Sequence, residues 1–100
     1  MAISQKSADF FLRSRMADAE AGNVEALYEL GVTFSTGRSG IAVDLIEAHK
    51  WFNLAALNGS RQAQECRADI ADEMTAREIA EAQRQARAWL SDINPERRVA

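Results

Sequence analysis

Apolar residues recur at steps of three and four along nearly the whole chain, in five successive runs that no proline interrupts. Such steps place each set on one stripe of an α-helix, and a stripe of that kind holds its shape only when a neighbouring element covers it. The first run, 7–20, carries Ala8, Phe11, Leu12, Met16 and Ala19. The second, 24–36, carries Val24, Leu27, Leu30, Gly31 and Phe34, and the third, 45–58, carries Ala48, Trp51, Phe52, Ala55 and Ala56. Ala63, Cys66, Ile70 and Met74 mark the fourth, 61–74. The fifth, 77–92, carries Ile79, Ala82, Ala86 and Trp89, with Ile93 one step on. The only proline, Pro95, follows the last run. Composition points the same way: 19 Ala and 7 Leu stand against 13 β-branched residues, and the former favour helix while the latter favour strand. The expected fold class is all-α with about five helices.

The residues between the runs supply helix ends. Asp44 with Glu47 and Thr75 with Glu78 have the spacing of a capping box, in which the first residue accepts from first-turn N–H groups and the glutamate reaches back. Asn23 and Ser60 are favourable N-caps, and each follows a glycine that is able to close the preceding helix. Gly37 closes the second run, and Asn94-Pro95 stops the fifth. The connections are short, which favours antiparallel neighbours.

Size and charge bound the function. One hundred residues make one domain or a short repeat array. A net charge of −3, from 12 basic and 15 acidic residues, is a poor footprint for nucleic-acid binding, which rests on a basic face. The single cysteine permits neither an internal disulfide nor a cysteine-rich zinc site. No apolar run approaches the roughly 20 residues of a membrane span. The opening MAISQKSADFF lacks the apolar stretch of a secretory signal, so with the lone thiol the expected location is cytoplasmic.

An internal repeat is visible. Gly22-Asn23 and Gly59-Ser60 stand 37 residues apart, and the same shift lays Ala26 on Ala63 and small Gly31 on small Ala68. Glu47-Ala48 meets Glu81-Ala82 at a shift of 34, as a turn shortened by three residues produces. A two-helix period in the thirties is the mark of a helical solenoid.

Ala26, Leu30-Gly31, Phe34, Gly37, Asp44, Ala48, Trp51, Ala55-Ala56 and Gly59 together resemble the Sel-one-like repeat, a relative of the tetratricopeptide repeat. That family's pattern is A-x-x-x-L-G-x-x-Y-x-x-G-x-G-V-x-x-D-x-x-x-A-x-x-W, followed by an Ala pair and Gly. The run AHKWFNLAALNG, followed by EMTAREIAEAQRQARAW, is similar to small bacterial members. Three departures stand out. The connector GRSGIAVD is one residue longer than the family's loop, Phe34 replaces the usual Tyr, and Arg67 stands where the second copy should carry Leu. The resemblance implies a short α-solenoid of antiparallel helix pairs. It would form one domain over 1–100: an N-terminal helix 7–20, a full repeat 23–59 and a degenerate capping hairpin 60–93. Within it, Gly31 and Ala55-Ala56 would let two helices approach closely, with Phe34 and Trp51 filling the space beside them.

Catalytic chemistry finds no support in the residues. His49 is the only histidine, and it is expected as a partly exposed helix residue beside Trp51; Cys66 is expected as a small packed residue. Asp69, Asp72 and Glu73 read as a solvated helix face, and Gly37 and Gly40 as a turn, since the Lys-Ser/Thr of a phosphate loop is absent. Arg97-Arg98 is too short for a nucleic-acid arm. No enzyme activity, cofactor or metal is expected. In solenoids of the tetratricopeptide kind the first helix of each pair lines the concave face. The resemblance therefore places Glu25, Tyr28, Val32 and Ser35 on one groove helix and Gln62, Glu65, Asp69 and Asp72 on the next. An aromatic–aliphatic half beside an acidic half suits a protein or peptide with an apolar anchor and basic side chains. The expected function is thus a non-enzymatic adaptor. The alternative is a structural homodimer formed through the apolar N-terminal cluster Phe10, Phe11 and Leu12. Neither nucleic acid nor membrane is an expected partner.

Overall fold

A computed structural model describes residues 5–93. These form five helices: α1 (Gln5–Glu20), α2 (Val24–Thr36), α3 (Leu45–Leu57), α4 (Arg61–Ala71) and α5 (Ala76–Ile93), with a short 3-10 turn at Arg38–Gly40. Among the described residues there is no strand, so the all-helical expectation holds. The Asn94-Pro95 stop and the Arg97-Arg98 pair lie outside the described residues.

The helix ends follow from local chemistry. Asn23 accepts from the Ala26 amide and Ser60 from the Ala63 amide, both at 3.1 Å. Before each cap the chain turns through the same glycine-centred loop. At Gly22 (φ +92°) the Asn23 amide donates to the Asp18 carbonyl and the Gly22 amide to Ala19. At Gly59 (φ +98°) the Ser60 amide donates to Ala55 and the Gly59 amide to Ala56. Both are six-to-one, five-to-two closures that need a left-handed residue, which glycine adopts without a Cβ penalty. The two closure bonds repeat across 37 residues. Thr75 and Glu78 complete a reciprocal capping box, at 2.8 and 3.1 Å.

Asp44 caps α3 through the Glu47 amide at 3.1 Å, but Glu47 does not reach back as a capping box requires. Its carboxylate instead accepts from the Trp51 indole at 3.0 Å and from Lys50 at 3.1 Å. A buried indole N–H needs an acceptor, and that need takes Glu47 away from the cap. The fourth helix ends at Ala71, three residues before the expected Met74. Its last carbonyls are taken by the tight turn, where Glu73 donates to Ile70 and Met74 to Ala71.

Helix α3 is the centre of the fold and packs against α2, α4 and α5. It is buried on nearly every side, through Ala48, His49, Trp51, Phe52, Leu54 and Ala55. Helices α4 and α5 rest on α3 rather than mainly on each other, while α1 packs on α2 and the 3-10 turn. Arg15 ties α1 to α2 through Glu29 at 3.4 Å and pairs with Asp18 on its own helix at 2.6 Å. Where α2 crosses α3, Gly31 lies directly against Phe52: a Cβ built there would stand 2.4 Å from the ring. The residue filling the space at that crossing is therefore Phe52, not Phe34 or Trp51. Trp51 packs on the other side of α3, edge-to-face with Trp89 of α5 at 4.8 Å. Small Ala82 and Ala86 let α5 approach closely enough for that contact.

Candidate functional site

The expected stripe splits into two halves with different environments. On α2, Glu25 is exposed, whereas Tyr28, Val32 and Ser35 are half-buried. Tyr28 is wedged between helices: its ring lies 5.9 Å from that of Phe52 on α3, and its hydroxyl interacts electrostatically with the Cys66 thiol of α4. Burial, then Cys66 and Glu25, push the Tyr28 hydroxyl above its ordinary pKa, so it remains a neutral phenol at physiological pH. Val32 packs against the core, and the Ser35 hydroxyl donates to the Val32 carbonyl at 3.1 Å. The α2 half is thus a seam shared with α3 and α4, and not the open aromatic–aliphatic wall expected from the sequence.

The acidic half is open. Gln62, Glu65, Asp69 and Asp72 are all exposed. Residues advance about 100° each around a helix. With Cys66 turned toward Tyr28, Gln62 and Asp69 come next on that side, and Glu65 lies just beyond. Asp72 stands past the last turn of α4, as its C-cap, with helical backbone angles that keep it in line with the row. Among the described residues, none of these carboxylates enters an ion pair.

Two residues behave differently from their expected roles. His49 is almost fully buried, at 3% exposure, rather than partly exposed. Its Nδ1 has no hydrogen-bond partner. Burial, and secondarily the positive charge of Arg67, hold its pKa below the ordinary value. Arg67, the apparent misfit of the second copy, is half-buried and donates to Asn53 of α3. Its guanidinium bridges α4 and α3. The Tyr28–Cys66 contact was not foreseen; Cys66 following Glu65 in the α4 row was its only sequence signal. Among the described residues, no group of three or more His, Cys, Asp or Glu side chains could hold a metal ion. No described helix is long and apolar enough to cross a membrane.

The arrangement offers a half-buried seam of Tyr28, Val32 and Cys66 packed on the core, with a row of negative charge along one edge. No protein-family model, curated protein or solved structure matches the chain.

Proposed function

We propose that this protein is a non-enzymatic adaptor, a short solenoid of the Sel-one-like kind, which offers its α2–α4 face to a partner protein or peptide. The single observation that carries the reading is the exposed row Gln62, Glu65, Asp69 and Asp72 beside the Tyr28–Cys66 seam. Carboxylates with no ion partner, held on one rigid helix edge, bind a cationic segment without first breaking internal salt bridges. Tyr28 adds an amphipathic aromatic at the border, the residue type that most often anchors an interface. The matching closure bonds at Gly22-Asn23 and Gly59-Ser60 support the repeat reading, because the same turn recurs at the interval of the sequence repeat.

The test is a double charge reversal, Asp69→Lys with Asp72→Lys. Both side chains are exposed, so circular dichroism and melting temperature should stay within experimental scatter. Binding to the partner captured from the native host should fall by at least about tenfold at physiological salt. Undiminished binding would place the partner elsewhere.

A second reading, self-association, is favoured by Phe10, which is 72% exposed on α1. Light scattering would then find a dimer that Phe10→Asp converts to monomer; a parent protein that is monomeric at high concentration removes this reading.

A further inference from the structure

The last turns of α1, α3 and α5 meet around an open cleft of about 590 Å³ that shares no residue with the α2–α4 face. Leu27 and Leu54, 3% and 1% exposed, form its floor, and Trp89, Leu90 and Ile93 of α5 line one wall. Leu57 stands on the rim with 64% of its surface exposed. Among the described residues one charged side chain lines the cleft, Glu20 at the end of α1. Helix C-termini carry partial negative charge, which proteins commonly offset with Lys or Arg in the last turn. None of α1, α3 or α5 has a basic residue there. The adjoining start of α2 is already capped by Asn23 and carries Glu25 in its first turn. The cleft is therefore apolar at its base and negative at its rim.

We propose that this cleft docks an extended peptide segment in which one bulky apolar residue is flanked by Lys or Arg. The apolar side chain covers Leu57, Trp89 and Leu90, while the flanking cations face Glu20 and the three helix ends. This complementarity selects against acidic segments, because a carboxylate at the rim would meet Glu20 and the carbonyl ends with like charge.

The experiment titrates two capped heptapeptides, Gly-Ser-Arg-Leu-Arg-Ser-Gly and Gly-Ser-Glu-Leu-Glu-Ser-Gly, into the full ¹⁵N-labelled chain. The amides of Gly22, Leu57 and Asn58 and the Trp89 indole report on the cleft. The basic peptide should move these resonances to saturation, and the acidic one should bind at least about tenfold more weakly. Leu57→Arg and, separately, Glu20→Lys change exposed side chains and should each weaken the basic peptide by a similar factor. Asp69→Lys with Asp72→Lys should leave this titration unaltered, which separates it from the adaptor reading above. The proposal fails if the shifts do not saturate, if both peptides bind equally, or if the shifts map to α2 and α4. It fails equally if Arg97→Glu with Arg98→Glu moves the cleft resonances with no peptide added, since the chain's own C-terminal residues would then be the occupant.

Discussion

Gly31→Ala sets two physical effects of opposite sign against each other. In the interior of a helix, replacing glycine with alanine stabilises by about 1 kcal/mol, because alanine loses less backbone entropy on folding. At this position the new Cβ would stand 2.4 Å from Phe52 Cδ1, 2.5 Å from Cε1 and 2.8 Å from Cγ. Carbon atoms rest at about 3.5–4.0 Å, so the ring would have to retreat by roughly 1 Å. Phe52 is 1% exposed and has Tyr28 packed against it, so retreat requires α3 to move away from α2. Overpacking of this kind costs about 1–3 kcal/mol, and a rigid ring with no free end puts the cost near the top of that range. The net expectation is a loss of about 2 kcal/mol, which lowers the melting temperature of a domain this size by roughly 8–16 °C. Thermal and urea unfolding followed by circular dichroism measure it directly. In a Phe52→Ala background the obstruction is gone, and the same alanine at position 31 should be neutral or stabilising by up to about 1 kcal/mol relative to that background. If Gly31→Ala alone were as stable as the parent, the close approach of α2 and α3 would not be the reason for glycine here.

Trp51→Ala should cost about 3–5 kcal/mol in the same assay, because it empties a fully buried site and leaves Trp89 without its edge-to-face partner. His49 should make stability depend on pH near neutrality. It is the chain's only histidine, and its folded-state pKa lies below the ordinary 6.5, so the unfolded chain binds the extra proton first. Stability is then fully present above pH 6.5 and is lost as pH falls below it toward the depressed folded value. His49→Leu should flatten the urea midpoint between pH 7 and 5; an unchanged slope would assign it to other groups. Gly22→Ala and Gly59→Ala both place a side chain at positive φ with nothing within 4 Å of the new Cβ, so each should cost the same backbone penalty of about 1–2 kcal/mol. Clearly unequal losses would mean that the two junctions are not energetically alike.

The fold was legible where short-range chemistry decides it. The run 24–36 matches α2 residue for residue, since Asn23 and Gly37 bound it on both sides. The Thr75–Glu78 box was readable for the same reason. Competition between partners was not readable. Glu47 has the right spacing for a capping box, but the Trp51 indole claims its carboxylate, and only the packing that buries Trp51 decides between them. His49 has the polarity of a surface residue, yet it is buried because α3 has neighbours on almost every side. The exposure of Gln62, Glu65, Asp69 and Asp72 follows from their i, i+3, i+7 and i+10 steps, which share one helix edge. The half-burial of the α2 counterpart has no local signal, because Cys66 and Phe52 come from distant parts of the chain to meet Tyr28. The cleft at the helix ends left no local trace at all: Leu57 and Trp89 are ordinary stripe residues until three termini are brought together.

The position of Leu45–Leu57 at the middle of the molecule has a dynamic consequence. A helix that serves as common wall to three others cannot lose its shape without releasing all of them, so its amides exchange with solvent only through global unfolding. The N-terminal helix leans on one partner and a turn, and it is free to peel away while the rest stays intact. Proteolysis and hydrogen exchange will therefore grade the chain from its first helix inward, with the slowest protons along the stretch from His49 to Ala55.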